Sequence, residues 1–336
     1  MSQILVVDDN LENLRYIARE LGGAHDVRLA KNGAQALSML GKLSPDLVLM
    51  EINLPGADGF RTMGEMRGSP GLSRTPFILL SDSRDQDLES RALAEGAVDY
   101  LAKPVERRLL RHRVELHLRL SLYQTGLEQT IRDLEDIIVT SFSELVECRD
   151  ENAGGHVQRA KIYTSLLGQA LLDRGLYQGE LDGRGLGLLS RAAPLFDIGK
   201  IGISDLLLMK KGQLTFEEYE KVKMHTVIGA EVLKAIYEST PSQTYLQYAI
   251  TIAEGHHERY DGRGYPRGLS GDRIDLSNRI MGVVNVYDSL VTDKTFRPAY
   301  THSEACEIVI SGRGTVFDPG VIDVFSEISP RFAEVR

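Results

Sequence analysis

Two sets of side chains in this 336-residue chain have the types and spacing to do chemistry, and they lie in opposite halves. The first comprises the adjacent acids Asp8 and Asp9, then Glu51, the hydroxyl of Ser81 and the amine of Lys103, all at the ends of apolar runs. Carboxylate oxygens hold a hard cation such as Mg2+, and a lysine and a hydroxyl neutralise and hydrogen-bond the oxygens of a phosphoryl group. The second set is His156, Asp197, His225 and the neighbours His256 and His257, five potential ligands on different predicted helices or helix ends. Imidazole with carboxylate suits Fe, Mn or Zn, and carboxylates that bridge two cations suit phosphodiester hydrolysis. A lone buried histidine is more often a satisfied core residue than a ligand, but five such groups together weigh against that reading.

Composition bounds what can carry these groups. With 39 Lys+Arg against 48 Asp+Glu, the net charge is -9, and 42% of residues are hydrophobic. At about 150 residues per domain the length fits two domains, each able to bury a core without disulfides. Cys148 and Cys306 stand alone with no CxxC or Cys/His spacing, which argues against a disulfide scaffold, a zinc ribbon or a thioredoxin-type centre and for a reducing cytoplasm. Apolar runs are too short to cross a membrane, and Ile4-Leu5-Val6-Val7 follows no basic leader, so neither a membrane span nor export is expected. The acidic balance, and the lack of a helix-turn-helix with a basic face, argue against DNA as a partner.

The elements that must position the first set are legible. Over residues 1–105, apolar runs at 4–7, 47–50, 77–80 and 98–101, with a weaker one at 26–29, alternate with helical stretches near 11–22, 34–43, 59–67 and 85–95. That alternation predicts a doubly wound, flavodoxin-like parallel sheet whose ligands bind at the carboxyl ends of the strands. Over 106–147, Leu109, Leu116, Tyr123, Thr130 and Ile137 recur every seven residues, with Leu120, Leu127 and Leu134 between them. The stripe fits a parallel coiled coil that dimerises the chain, or a solvated connector helix packed on its own domains. Residues 148–336 read as an all-α domain, its loops marked by Gly and Pro at 152–155, 182–187, 210–213, 261–272 and 312–320.

The first 120 residues resemble the receiver domain of two-component response regulators, through Val6-Val7-Asp8-Asp9-Asn10, Asp46 to Glu51 with Asn53 and Pro55, Ser81, and Asp99-Tyr100-Leu101-Ala102-Lys103-Pro104. The resemblance implies an Mg2+ site among Asp8, Asp9, Glu51, Asn53, Ser81 and Lys103, and a sensor kinase or other signalling protein as partner. It also exposes a departure: the family's phosphate-accepting aspartate is Glu51 here. One added methylene moves the carboxylate outward by about 1.5 Å, which works against in-line phosphoryl transfer and allows the carboxylate to reach toward Lys103 in imitation of a phosphorylated state.

From about residue 140 onward the chain resembles the HD-GYP family, which hydrolyses cyclic di-GMP. The matching strings are Arg149-Asp150, His156-Val157-Gln158-Arg159, Phe196-Asp197-Ile198-Gly199-Lys200, Met224-His225, His256-His257-Glu258, Asp261-Gly262-Arg263-Gly264-Tyr265-Pro266, Asn285-Val286-Tyr287-Asp288 and Phe296-Arg297-Pro298. By that resemblance, His156, Asp197, His225, His256 and His257 are metal ligands, and Lys200 and Asp288 join Asp197 in the catalytic machinery. Gly262, Gly264, Tyr265, Pro266, Lys294 and Arg297 would grip the nucleotide. The glycine-rich loop also reads as an ordinary turn, and Lys294 with Arg297 as a solvated surface pair.

Three family ligands are replaced, by Asn152, Phe196 and Asn285. Phenylalanine offers no donor atom, and each asparagine keeps only a weak carbonyl oxygen. One cation position keeps Asp197, His225, His256 and His257, while the other loses most of its ligands, so one ion or none is expected; Glu151 is a candidate replacement for the acid missing at 152. The expected protein is a degenerate response regulator of cyclic di-GMP signalling that binds partners or nucleotide. The alternative is a phosphodiesterase working with one Fe, Mn or other divalent ion, or with an atypical pair.

Overall fold

The computed structural model of the chain describes residues 1–69, 71–149, 155–210, 212–293 and 297–335. They fall into two compact units, Met1–Arg132 and Asp133–Arg336. In the first, β1 (Gln3–Val7), β2 (Asp26–Ala30) and β3 (Leu47–Glu51) precede a short hairpin, β4 (Asn53–Leu54) and β5 (Ala57–Asp58), and then β6 (Phe77–Ser81) and β7 (Asp99–Ala102). The five longer strands pair in parallel in the order β2-β1-β3-β6-β7.

Alternation within the strands explains the layers. Leu5, Val7, Val48, Met50, Phe77 and Leu79 pack on one face with Phe60, Met63, Met66 and Ala92, which come from α3 (Gly59–Arg67) and α4 (Gln86–Ala94). Ile4, Val6, Leu47, Leu49, Ile78 and Leu80 pack on the other with Leu14, Ile17 and Leu21 of α1 (Leu11–Leu21). With α2 (Gly33–Met39) on the first face as well, both faces are covered, which is why the central strands are continuous apolar runs rather than alternating ones. The strand order reverses between β1 and β3, and the crevice at that point is where an open α/β sheet binds ligands.

Helix α5 (Arg107–Glu147) is continuous over 41 residues. Leu110, Val114 and Leu118, spaced four apart, are buried on the second face of the sheet. A different stripe of the same helix, Leu120, Tyr123, Leu127, Leu134 and Ile137, is more than half exposed in the single chain. Burial returns at Ser143, Val146 and Glu147.

The second unit is helical: α6 (His156–Asp173), α7 (Gly183–Ala192), α8 (Asp205–Leu208), α9 (Phe216–Lys223), α10 (His225–Ser239), α11 (Tyr245–Gly255), α12 (Leu276–Val291), α13 (His302–Ser311) and α14 (Pro319–Ala333). Its core centres on Tyr163, Tyr287, Phe325 and Phe332, whose rings meet edge-on or stacked at 4.5–5.7 Å. Arg279, almost wholly buried, ties α12 to the start of α14 through Asp318 at 2.7 Å. Among the described residues no helix is long and apolar enough to cross a membrane.

One crossing matters for the site. Between α7 and α8 the chain makes two tight turns, Ala193–Leu195 and Ile198–Gly202, with Phe196 and Asp197 between them. The second turn lies directly on α10: a Cβ at Gly199 would sit 1.9 Å from the His225 carbonyl oxygen and 2.5 Å from the Gly229 nitrogen. Only glycine permits that approach, and the approach sets Asp197 beside His225. Gly199→Ala is therefore expected to destabilise the second unit by about 1–3 kcal/mol or more through overpacking. Gly187→Ala, at an open position in α7, is expected to stabilise by about 0.5–1 kcal/mol. Urea unfolding of the two variants checks the contrast, and equal effects would refute the packing argument.

Candidate metal centre and receiver pocket

Helix ends deliver three of the four histidines of the set. His156 opens α6, His225 opens α10, and His256 immediately follows α11. The Nδ1 of His225 donates to the Val222 carbonyl at 2.7 Å, and that of His256 to the Ile252 carbonyl at 2.8 Å. A carbonyl oxygen can only accept, so each Nδ1 carries a proton, and the neutral form of each ring offers Nε2 as its ligand atom. These two nitrogens lie 3.2 and 3.4 Å from Asp197 Oδ1. With His257, the donor atoms of Asp197, His225 and His256 all fall within 4.8 Å of one another.

Asp197 Oδ1, His225 Nε2 and His256 Nε2 are buried and make no well-formed hydrogen bond. Leaving a buried polar atom unpaired costs about 1–3 kcal/mol, and three such atoms converging on one point fit a divalent cation. Burial opposes charge on Asp197, yet Lys200 and the imidazoles of His225 and His256 hold its carboxyl well below the usual range. Burial, and then the charge of His256, push His257 well below the ordinary histidine value. An anionic carboxylate and a neutral imidazole are the states that bind a metal.

A second group shares Asp197. Donor atoms of Glu147, His156 and Asp197 also lie within 4.8 Å of one another. Lys200 Nζ stands 2.8 Å from Asp197 Oδ2 and 3.2 Å from Glu147 Oε1. Burial pushes the Glu147 carboxyl up, against the pull of Lys200. Phe196, fully buried, turns its ring edge-on between two imidazoles, 5.3 Å from the His156 centroid and 5.1 Å from that of His256. A hydrocarbon ring there removes a donor and lowers the local polarity.

These residues line a cavity of about 390 Å³ whose walls include Glu147, His156, Lys200, His257, Tyr265 and Asn285. Asp288 lies behind His156, whose Nδ1 it holds, and is itself gripped by Arg159 Nε at 2.5 Å. It orients His156 from outside the cavity wall. Tyr265 stacks on His257, with centroids 4.6 Å apart and planes 23° apart. Gly264 allows this, since a Cβ there would meet the His257 carbonyl oxygen at 2.5 Å, and Gly262 takes φ +79°. Pro266 follows in the same loop, which the Glu258 carboxylate pins by accepting from the Arg267 and Leu269 amides at 2.7 and 2.9 Å. Arg297 donates to the carbonyls of Ser289 and Leu290, two residues that line the cavity, and covers the Tyr300 ring. Glu151, Asn152 and Lys294 lie outside the described residues.

In the first unit, Asp8, Glu51 and Ser81 are buried and Asp9 and Asn53 are exposed. Lys103 Nζ binds Asp8 Oδ2 at 2.7 Å and also pairs with Glu51. Glu51 Oε1 accepts from the Asn53 amide at 2.9 Å, and Asp8 Oδ1 accepts from the Asn10 amide at 2.8 Å. Burial opposes the charge on Lys103, but Asp8 and Glu51 outweigh it and raise its pKa. The longer carboxylate at 51 thus ends on Lys103.

Sequence reasoning overlooks three residues here. Glu147 closes a helix that reads as a connector, Arg149 caps the Asp197 loop by donating to the carbonyls of Lys200, Ile201 and Ile203, and Arg159 secures Asp288. Arg149 and Arg159 lie in the strings that carry the family resemblance, so their chemistry was visible but their targets were not. Glu147 carried no distinguishing signal, since it follows Glu144 by three residues near the end of an amphipathic helix.

Comparison with known proteins gives two matches to family models: a response regulator receiver domain over residues 4–115 and an HD domain over residues 142–321. A protein of Vibrio cholerae named as a probable cyclic di-GMP phosphodiesterase is 34% identical over 99% of this chain and 79% of its own length. The cyclic di-GMP phosphodiesterase response regulator RpfG of Xanthomonas campestris is 33% identical over 95% of this chain and 86% of its own. A cyclic di-GMP phosphodiesterase of Thermotoga maritima is 28% identical over the whole of this chain and 92% of its own.

The receiver geometry makes a prediction of its own. With Glu51 occupied by Lys103, incubation with a small phosphodonor and Mg2+ is expected to leave the chain unlabelled, and Glu51→Asp is expected to become labelled. Phosphate-affinity electrophoresis reads both, and labelling of the unmodified chain would refute the argument from side-chain length.

Proposed function

Because this chain belongs to the HD-domain family and carries a response regulator receiver domain ahead of the HD domain, we propose that its output half binds cyclic di-GMP over one divalent cation and signals through partner contacts. The observation that carries this reading is the unequal state of the two cation positions. Asp197, His225, His256 and His257 converge, the first three each with an unpaired buried donor atom, while Phe196 fills the space between His156 and His256 with hydrocarbon. Bound there, Fe or Mn supplies positive charge against a nucleotide phosphate. Lys200 adds a second positive charge at the same wall, and Tyr265, stacked on His257, gives the cavity a flat aromatic side. Asn285, also in the cavity wall, brings no charge, so the two-cation clamp that stabilises a phosphodiester transition state is incomplete. The nucleotide itself is suggested by the named relatives.

One observation favours a second reading, a phosphodiesterase with an atypical pair of ions: Glu147, His156 and Asp197 also converge. Metal analysis and turnover on one preparation separate the two. The purified full chain, loaded with Mn2+ or Fe2+, is expected to hold one ion, to bind cyclic di-GMP and to release no linear product, with His225→Ala losing the ion. Two ions with turnover would establish the second reading.

The proposed dimer rests on α5. Leu120, Leu127 and Leu134 repeat every seven residues and are more than half exposed in the single chain, an arrangement that a second copy would bury in a coiled-coil seam. In the first unit Glu51 already holds Lys103, so the input to that dimer would come from contacts with other signalling proteins rather than from phosphate. Light scattering is expected to give a dimer mass, halved by Leu120→Glu with Leu127→Glu. A monomer mass for the unmodified chain would refute the seam.

A further inference from the structure

The exposed apolar side chains of α5 follow a spacing that a seven-residue repeat does not describe. Leu116, Leu120 and Tyr123 recur eleven residues on as Leu127, Ile131 and Leu134, and eleven further on as Ile138, Phe142 and Leu145. Every one of them is at least 36% exposed in the single chain, whereas Leu118 and Val146 of the same helix are buried. A seven-residue seam continued from Leu116 and Leu120 runs instead onto Thr130, Ser141 and Glu144, which bring a hydroxyl or a charge to positions that a coiled coil fills with apolar groups. The eleven-residue series has no such break. Eleven residues in three turns is about 3.67 per turn, close to the 3.6 of a straight α-helix, so the stripe keeps to one side without left-handed winding. From Leu116 to Leu145 it runs for about 45 Å at 1.5 Å per residue.

We infer that α5 pairs with α5 of a second copy through this eleven-residue repeat, in a nearly straight pair of helices that extends from Leu116 to Leu145. Side chains of this size, more than a third exposed, offer several hundred Å² on each copy, the scale of the roughly 800 Å² per partner that a stable interface buries. A second copy necessarily carries the same period, so apolar layers meet apolar layers along the whole stripe; any other partner would have to reproduce it. The inference deepens the dimer reading and rests on it. It also changes where the interface ends. Polar residues spoil a seven-residue seam at Ser141 and Glu144, but the eleven-residue one continues into the last turn of α5. There Leu145 and Glu147, two residues apart, point to opposite sides of the helix: the leucine is left for the second copy, and the carboxylate meets Lys200 at 3.2 Å. The contact between copies thus reaches the turn that supplies Glu147 to the cavity wall.

Two adjacent isoleucines make the test. Ile137 belongs to the seven-residue seam and Ile138 to the eleven-residue one, and they are 60% and 54% exposed in the single chain. Sedimentation equilibrium on the full chain compares Ile137→Glu, Ile138→Glu and Leu145→Glu with the unmodified protein. Ile137→Glu is expected to leave the dimer constant within about twofold, and the other two to weaken it by at least about tenfold, because each buries a carboxylate in the seam. A circular dichroism melt checks folding; if Ile138→Glu unfolds, Leu145→Glu carries the same contrast, since the seven-residue seam holds Glu144 in its place. Weakening by Ile137→Glu as large as that by Ile138→Glu, or no weakening by Ile138→Glu, overturns the eleven-residue seam and leaves the dimer reading to its own leucine variants. Weakening by Ile138→Glu without Leu145→Glu overturns the extension into the last turn. A mass above two copies overturns the pairing, and a monomer mass for the unmodified chain overturns this inference and the dimer reading together.

Discussion

The carboxylate of Asp197 is the constraint on which the output half is built. Its Oδ1 meets two imidazoles and its Oδ2 meets an ammonium, so a single side chain joins α10, the end of α11 and the loop before α8. Burial of an anion is unfavourable unless it is paired, and these partners keep it ionised. The geometry is enforced from behind by backbone: Gly199 presses its loop onto the first turn of α10 so closely that no side chain fits. The chemistry of the site therefore depends on a packing contact that contains no functional group.

A similar electrostatic solution recurs in the receiver half. There Lys103 is held by Asp8 and Glu51 at the carboxyl ends of β1 and β3, as Lys200 is held by Asp197 and Glu147 in the output half. Each pocket gathers carboxylates in a way that would suit a metal or a phosphoryl group, and each carries its own ammonium against them. In the receiver the extra methylene of Glu51 makes the contact possible. In the output half the acid arrives from a neighbouring helix. The two pockets are built differently, but each holds one ammonium between two carboxylates.

Much of the fold was legible because periodicity reports burial directly. The runs ending at Val7, Met50 and Leu80 are continuous in sequence because both faces of the sheet are covered, and the strand expected near 26–29 is found at Asp26–Ala30. The histidines and Asp197 were legible as a set because five ligand-type side chains in one helical domain far exceed what a hydrophobic core accommodates as isolated polar residues. Distances were not. Whether Asp288 faces the cavity or stands behind His156 depends on how α12 lies against α6, which no spacing within either helix encodes. Glu147 illustrates the limit most clearly: along α5 it is one acid among several, and only the fold of Asp133–Arg336 makes it the one beside Lys200.

Helix α5 consequently has two roles that its sequence does not separate. Leu110, Val114 and Leu118 are core residues of the sheet unit, and Glu147 and Arg149, at and just past its last turn, reach the loop that carries Asp197. Any displacement of its last turn would change the separation between Glu147 and Lys200, and the Arg149 contacts would carry the Asp197 loop along with it.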